Sequence, residues 1–304
     1  MLSEREYAHI LDKWLEGVPS EVKFWNTYMA SRGATGSHNW EEVISADRPF
    51  RLEEDLEKAA TRFLDAGSGP FSRCGFKTSR TALSFVAVDA LAPAYARLKQ
   101  MYGIVSGMQP QFGFTEILSD IFPPESFDIV HMSNSLDHCI DPVLGLYNLF
   151  HVCAQGGKVI LRHAKNEGAS AHYDGLHQWN LCVEKGRFVI WRGDLRVDIA
   201  EMLGDCAEME TFEDIFEFPE KKWKYDKVVI RKRAPVEIPQ SAFRRVCFEK
   251  LATAVYDRAF EDMSADVLAQ RCAQYEKEIA AYKQRLDRFV KRYEALAEEK
   301  RQGA

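Results

Sequence analysis

The chain has 304 residues, 46% of them hydrophobic, and a formal net charge of −6 at pH 7. Its length allows one large domain with additions or two domains, and its composition is typical of a globular protein. The negative charge excludes a general attraction to nucleic acid or to an anionic membrane.

The seven cysteines are scattered along the chain and form no Cys-x-x-Cys pair. We therefore predict neither a disulfide framework nor a structural zinc site, and we expect a reducing, cytoplasmic environment. The first residues, MLSEREYAHILDKWLEG, are charged and helix-like rather than of the signal-peptide type. No run approaches the roughly 20 apolar residues of a membrane span, so no integral membrane segment is predicted.

Residues 1–58 are predicted to form an N-terminal helical cap. Apolar residues at the spacing of one helix face are Leu2, Ile10, Leu11, Trp14 and Leu15. Ser20 is a candidate N-cap of a second helix, and Gly33 is its candidate stop. A polar, turn-rich segment then leads to a short helix predicted at 52–60.

From residue 61 to about 233, apolar strands alternate with helices. The predicted strands are RFLDAG, LSFVAVDAL, FDIVHMSN and GKVILRH, with helices at 93–101 and 142–153 between them. This alternation is typical of a parallel sheet covered on both faces. A hairpin turning at Gly193-Asp194 and a last strand, KYDKVVIRKR, follow. We predict an α/β domain over 59–233.

Residues 234–304 are predicted to be a helical extension. Apolar residues in alternating steps of four and three are Leu268, Cys272, Tyr275, Ile279, Tyr282, Leu286, Phe289, Tyr293 and Leu296. A seam of about four heptads is enough to predict a coiled coil, and with it a homo-oligomer. The alternative is a long amphipathic helix that packs on its own domain.

A glycine-rich loop, FLDAGSGPFSRCG, follows the first strand of the α/β domain. Gly67 and Gly69 let the backbone turn sharply and approach a ligand closely. The dinucleotide fingerprint needs glycine where Ser72 stands, and the P-loop Gly-Lys-Ser/Thr is missing from this loop. Asp89, at the end of the second strand, suits the two hydroxyls of a ribose. The sequence therefore predicts a nucleoside ligand without a pyrophosphate.

These motifs resemble those of class I S-adenosylmethionine (SAM)-dependent methyltransferases over residues 60–233. LDAGSGP resembles the first motif of that family and VAVDAL the second. FPPESFDIVHMSNSLDHCIDP resembles the stretch across its fourth strand, and LFHVCAQGGKVILRH the helix, turn and fifth strand. The resemblance implies a Rossmann-like, mostly parallel sheet with an antiparallel last strand, S-adenosyl-L-methionine as cofactor, and methyl transfer as reaction.

The resemblance also implies the cofactor-binding residues. They are Asp65, Gly67, Ser68, Gly69, Asp89, Leu91, Glu116, Asn134 and Ser135. Asp65, Gly67 and Gly69 would surround the methionine part of SAM, Asp89 would hold the ribose, and Leu91 would pack near the adenine. Asn134 and Ser135 would line the cofactor after the fourth strand. Glu116 stands about where the family has its adenine-contacting acid, although Asp120 is a second candidate.

The stretch RHAKNEGASAHYDGLHQWN, residues 162–180, is expected to form the acceptor pocket, because long loops at this edge are often functional. A sugar hydroxyl benefits from a base of near-neutral pKa, which histidine provides. The candidate catalytic residues are His163, at the tip of the fifth strand, His177 and Glu167. The candidate substrate-binding residues are Asn166, Gln178, Trp179, which would stack on a sugar ring, and Asn180.

We assign no catalytic role to His138 and no metal to the polar residues of this stretch. His138, in LDHCIDP, is expected to be structural. Mixed metal ligands are available at His163, Glu167, His172, Asp174 and His177. Their spacing is not diagnostic of any ion, so no metal is predicted.

The segments NEG, GLHQWN and EVKFWNTYMASRG resemble a subgroup of these methyltransferases linked to bacterial surface-polysaccharide modification. This implies O-methylation of a sugar hydroxyl in a glycan or glycolipid precursor. One alternative is methylation of a small metabolite, and another is a non-enzymatic scaffold that assembles through its coiled coil. The basic segment KKWKYDKVVIRKR would meet phosphates of a lipid-linked acceptor at the inner membrane, or form a solvated strand face.

Overall fold

The computed structural model describes residues 4–34, 39–79, 81–216, 224–241 and 243, together with the helical residues Ala273, Lys277 and Gln284. The heptad positions between 268 and 296 lie outside the described residues, so the coiled coil and the homo-oligomer stay predictions. Among the described helices, none combines the length and the hydropathy that crossing a membrane requires.

Strands and helices alternate through the middle of the chain. The strands are β1 (Ala60–Ala66), β2 (Ala82–Asp89), β3 (Gln111–Phe112), β4 (Phe127–Ser133), β5 (Cys153–Ala164), β6 (Asn180–Glu184), β7 (Arg187–Arg192), β8 (Leu195–Asp198), β9 (Ala207–Phe216) and β10 (Lys224–Lys232). The helices are α1 (Glu4–Ala30), α2 (Trp40–Ile44), α3 (Ala92–Met101), α4 (Leu118–Ile121), α5 (Pro142–Val152), α6 (Glu167–Ser170) and α7 (Ile199–Leu203).

The main sheet of the described residues has seven strands in the order β3-β2-β1-β4-β5-β10-β9. Strands β1 to β5 are parallel, and β10 runs antiparallel to both β5 and β9. The chain order reverses between β1 and β4, which makes a crevice at the carboxyl ends of these strands. This topology confirms the predicted α/β class, a mostly parallel methyltransferase-type sheet with an antiparallel last strand.

The strands in the centre of the sheet are largely apolar, as expected where both faces of a strand are covered. All residues of β4 except Ser133 are buried. Helix α5 covers one face, and its start is well defined: Pro142 occupies the first turn, and Asp141 accepts a hydrogen bond from the Leu144 N–H at 2.9 Å. The polar residues that follow each strand are thereby fixed at one edge of the sheet.

Helix α1 continues through Pro19, so the predicted break with Ser20 as N-cap is wrong. A proline inside a helix removes one backbone hydrogen bond. The helix continues because its apolar face is buried in the same core as the sheet, with Val18 and Val22 fully buried. The helix predicted at 52–60 is also wrong, since only a 3-10 turn forms there, at Glu53–Asp55.

A second, three-stranded antiparallel sheet follows the fifth strand, in the order β6-β7-β8. The β7–β8 pair is the predicted hairpin, with Arg192 opposite Leu195 around the Gly193-Asp194 turn. Strand β6 was not predicted. It is tied to the main sheet by the Val183 N–H, which donates to the buried Asp226 carboxylate of β10 at 2.6 Å.

Candidate active site

A cavity of about 520 Å³ opens at the carboxyl ends of β1, β2 and β4. This volume is typical of small-molecule sites. Every residue predicted to bind the cofactor lines it: Asp65, Gly67, Ser68, Gly69, Asp89, Leu91, Glu116, Asn134 and Ser135. Helix α1 supplies one wall and the segment after β5 supplies another, through Glu167 and His177.

The loop after β1 depends on two glycines in the left-handed region, Gly67 with φ +59° and Gly69 with φ +62°. A Cβ atom at Gly67 would lie 2.3 Å from the Ser135 Oγ, so this position also needs glycine for space. The Gly69 N–H donates to the Asp89 carboxylate at 2.8 Å. The loop is therefore held against the end of β2, and its backbone faces the cavity.

Asp89 is a buried carboxylate with capacity for a ligand. Its two oxygens accept one hydrogen bond each, from the Gly69 and Leu91 N–H groups, both at 2.8 Å. Burial raises the pKa of Asp89 to about 6, although these two bonds act in the opposite direction. The side chain is thus mainly ionised at neutral pH. A carboxylate oxygen has two lone pairs, so one acceptor site remains on each oxygen.

Asp65 interacts mostly with the protein. Its carboxylate accepts from the Ser72 hydroxyl at 2.6 Å and lies 2.7 Å from the His131 Nδ1 atom. Burial alone would lower the pKa of His131. Cys74 and Asp65 outweigh the effect of burial and raise this pKa to about 10. The His131 imidazolium therefore balances Asp65 beneath the glycine loop. We conclude that Asp65 chiefly orders this loop, although it also borders the cavity.

Glu116 ties the cavity to the start of α5. Its Oε1 atom accepts from the Ile140 N–H at 2.7 Å and from the Asp141 N–H at 3.1 Å. Burial raises the pKa of Glu116 to about 7, and the nearby Asp141 adds to this shift. Asp120, the other candidate in this stretch, does not line the cavity.

Helix α1 provides an aromatic wall that was not predicted. Trp25 packs against Phe71 and Tyr95, and its Nε1 atom donates to Glu21 at 2.8 Å. Trp25 also borders Gly69, because a Cβ atom there would lie 3.2 Å from the indole ring. Next to it, the Phe24 side chain is 56% exposed at the cavity wall. The aromatic residues in KFWNTYM are the sequence signal for this wall.

The cavity is also bordered by a histidine cluster, which we define as Asp137, His138 and His177. The His177 Nδ1 atom lies 2.8 Å from the Asp137 Oδ2 atom and 3.0 Å from the His138 Nε2 atom. The His138 Nε2 atom is 3.6 Å from the same Asp137 oxygen. Burial lowers the pKa of His177, but the hydrogen bond to Asp137 raises it to about 9.

Glu167 borders the histidine cluster, with its Oε1 atom 3.9 Å from the His177 Nδ1 atom. Burial and the charge of Asp137 raise the pKa of Glu167. Asp137 was missed by the sequence analysis, and His138 was expected to be only structural. Their signal was the Asp-His pair directly after a strand end, in LDHCIDP.

His163 does not occupy its expected place. It was predicted to face the reacting methyl at the tip of the fifth strand, but β5 continues to Ala164 and His163 pairs with Asp226 of β10 inside the sheet. The side chain is buried and does not line the cavity. Burial also lowers the pKa of His163 to about 4. The prediction of His163 as the base is therefore corrected.

The predicted substrate-binding residues also lie away from the cavity walls. Trp179 is 1% exposed, so it cannot stack on a sugar ring. Gln178 is used within the protein: its amide donates to the Tyr173 and Gly175 carbonyls, both at 2.9 Å, and its oxygen accepts from Arg192. This corrects the expected role of both residues.

Asn166 and Asn180 likewise hold the segment after β5 together. The Asn166 side chain accepts from the Trp191 indole N–H at 2.9 Å. Asn180 accepts from the Ala169 N–H at 2.7 Å and donates to the Tyr173 hydroxyl at 3.0 Å. These asparagines shape the segment instead of binding hydroxyls in the cavity.

No protein-family model and no curated protein matches this sequence. Among solved structures, YcgJ from Bacillus subtilis has 14% identity and a TM-score of 0.39, over 60% of this chain and 96% of that one. A SAM-dependent methyltransferase from Methanosarcina mazei has 17% identity and a TM-score of 0.38, over 61% and 97%. The [4+2]-cyclase SpnF has 13% identity and a TM-score of 0.39, over 60% and 78%. None of these similarities decides the reaction of this chain.

Proposed function

We propose that this protein is a SAM-dependent O-methyltransferase whose acceptor hydroxyl binds beside Glu167 and the histidine cluster. One observation carries the proposal: a single cavity is lined both by the glycine loop with the Asp89 carboxylate and by Glu167, His138 and His177. Methyl transfer needs these two functions next to each other, a nucleoside site and a site that activates a hydroxyl.

The cofactor side fits a nucleoside. Each Asp89 oxygen keeps one free lone pair, so the carboxylate can accept from two hydroxyls on adjacent ribose carbons. Leu91 and Ile140 supply apolar surface for the base. The backbone of Gly67 and Gly69 carries no side chain, so the methionine part of SAM can lie directly on it.

On the acceptor side, Glu167 is our candidate general base. Its side chain lines the cavity, and its Oε2 atom is buried without a hydrogen-bond partner among the described residues. In the reaction, the acceptor oxygen forms a bond to the methyl carbon while the carbon–sulfur bond breaks and its electron pair stays on sulfur. The hydroxyl proton passes to Glu167. Positioning of the two substrates supplies much of the remaining rate.

For the acceptor we propose a sugar hydroxyl of a bacterial glycan or glycolipid precursor. The support is the sequence resemblance of NEG, GLHQWN and EVKFWNTYMASRG, together with the aromatic wall of α1. The exposed Phe24 ring and the Trp25 ring are suited to packing on the apolar face of a sugar. The proposal includes a cytoplasmic enzyme that meets its acceptor at the inner face of the membrane.

SAM binding is the first test. Titration calorimetry with Asp89→Asn should show an affinity about 10- to 100-fold weaker than wild type, because one charge-assisted bond is worth about 1.5–3 kcal/mol. Asp194→Asn, in the exposed hairpin turn, is the matched control and should bind normally. Wild-type protein that does not bind SAM would refute the cofactor and favour a scaffold.

The acceptor class needs its own assay. Transfer of a labelled methyl group should occur to oligosaccharide acceptors, and Glu167→Gln should lose about 10²- to 10⁴-fold in rate while it still binds SAM. Labelling of small phenols or other metabolites alone would instead favour a small-molecule methyltransferase.

Self-association through 234–304 is a separate proposal that rests on the heptad spacing. Truncation after Phe243, whose buried ring packs against Tyr7 and Phe114, should lower the mass seen in light scattering and leave SAM binding intact. A full-length protein that is monomeric at micromolar concentration would exclude the coiled coil.

A further inference from the structure

We infer that the histidine cluster of Asp137, His138 and His177 is a binding site for one divalent transition-metal ion, with Glu167 beside it. The existence of the site does not depend on the proposed function, whereas its role in methyl transfer does.

The spacing of the three side chains matches a metal site. A zinc ion binds nitrogen and oxygen ligands at about 2.0–2.1 Å, so neighbouring ligand atoms of a tetrahedral site lie about 3.3 Å apart. In the cluster, the three distances between ligand atoms are 2.8, 3.0 and 3.6 Å. These distances bracket the tetrahedral value, and small rotations of the side chains would equalise them.

Hydrogen bonds alone do not satisfy the three side chains of the histidine cluster. The His177 Nδ1 atom carries at most one hydrogen, yet it lies within hydrogen-bond distance of both Asp137 and His138. A second observation is independent of this geometry: the Asp137 side chain is only 1% exposed, and its Oδ1 atom has no partner among the described residues. A buried carboxylate needs a positive charge beside it, and a divalent ion bound at Oδ2 would supply that charge in place of the His177 proton.

The ligands are held in place by the fold. Asp137 and His138 lie on the 3-10 turn after β4, at Leu136–His138. The Trp14 indole N–H of α1 donates to the His138 carbonyl at 2.7 Å, and the Gln178 N–H donates to the Asp137 carbonyl at 3.1 Å. A site fixed from three elements loses little entropy when the ion binds.

The ligand set defines the class of ion. Two imidazoles and one carboxylate suit Zn²⁺, Co²⁺, Fe²⁺ or Mn²⁺ better than Mg²⁺ or Ca²⁺, which prefer oxygen ligands only. The set differs from the mixed ligands considered from the sequence, since His163 is inside the sheet and His172 and Asp174 are exposed. Only His177 and the neighbouring Glu167 are shared with it.

The site resembles catalytic metal sites in keeping a position open. Three protein ligands leave a fourth position, here on the cavity wall, where an acceptor hydroxyl can bind. A bound ion lowers the pKa of a hydroxyl that coordinates it. Glu167 takes the proton, the resulting alkoxide forms the bond to the methyl carbon, and the sulfonium leaves as a neutral thioether.

The test uses full-length protein without a histidine tag, stripped with EDTA and titrated with ZnCl₂ in a calorimeter. Wild type should bind one Zn²⁺ ion per chain. Co²⁺ bound in place of Zn²⁺ should give visible absorption with the intensity typical of tetrahedral coordination. His177→Ala and Asp137→Asn should weaken binding at least tenfold, the loss of one ligand contact. His172→Ala, in the same segment but exposed, should bind as wild type does. Circular dichroism checks the folding of every variant.

The outcomes separate the site from its role. Wild type without saturable Zn²⁺ binding, or with equal losses in His172→Ala, overturns the inference. SAM affinity is measured on the same EDTA-stripped samples and should be unchanged, so a failure of the cofactor proposal is seen independently. If Zn²⁺ binds but methylation is insensitive to EDTA, the site stands and its role in activating the hydroxyl is refuted.

Discussion

Replacing Glu116 by Gln should change how stability depends on pH. Glu116 is 2% exposed, and burial raises its pKa from 4.5 to about 7. Between pH 4.5 and 7 the Glu116 carboxyl is therefore protonated in the folded protein and ionised in the unfolded chain. Stability from this side chain falls as the pH rises through that window. Below pH 4.5 both states are protonated, and above pH 7 both are ionised.

The expected size follows from the shift. One pKa unit corresponds to 1.36 kcal/mol, so a raise from 4.5 to about 7 costs on the order of 3 kcal/mol once Glu116 is ionised. A glutamine keeps the Oε1 acceptor for the Ile140 and Asp141 N–H groups and removes the charge. Glu116→Gln should therefore gain up to about 3 kcal/mol over wild type at pH 8 relative to pH 4.5.

The assay is urea unfolding followed by circular dichroism at several values between pH 4.5 and 8. Other titrating groups are common to both proteins, so the difference between variant and wild type isolates Glu116. Glu54→Gln, at an exposed position, is the control. Its free energy of unfolding should differ from that of wild type by the same amount at every pH. If the difference between Glu116→Gln and wild type is also independent of pH, ionisation of Glu116 does not destabilise the folded protein and the argument is refuted.

Two further predictions concern the loop after β1. Gly67→Ala should abolish SAM binding, because the new Cβ atom would clash with the Ser135 hydroxyl. Gly103→Ala is the control, since Gly103 has the same φ of +59° but open space around it. That variant should lose only about 1–2 kcal/mol of stability through backbone strain. Equal effects of both variants on calorimetric SAM binding would contradict this. Asp65→Ala should lower the free energy of unfolding by about 3–5 kcal/mol, because it leaves the buried His131 imidazolium without its partner. A loss below about 1 kcal/mol in urea unfolding would show that this pair is not charged in the folded protein.

The fold was predictable because its signals are local. Apolar strands that end in Asp65 and Asp89, with glycines directly after the first, indicate a parallel sheet and the edge at which its ligand binds. The same local order placed every predicted cofactor residue on one cavity. These residues lie within a few positions of a strand end, so little freedom remains in where their backbone points.

The acceptor side was less predictable because it depends on packing between distant elements. The place of His163 was not predictable, since the sequence does not show that β5 extends to Ala164 and pairs with β10 there. Trp179 has the side chain of a ligand-stacking residue, but it is buried in the main hydrophobic core. His177 reaches Asp137, 40 positions earlier in the chain, and no local pattern encodes a contact of that separation.

The proline in α1 shows what keeps the two indoles of this helix in register. Pro19 has no N–H, so the helix lacks one backbone hydrogen bond in the stretch between Trp14, which holds the turn of the histidine cluster, and Trp25, which borders the glycine loop. At this point the helix depends on packing instead, because Val18 and Val22 are fully buried on either side of the proline. The distance between the indoles at 14 and 25 is thus set by the core of the protein as much as by the helix itself.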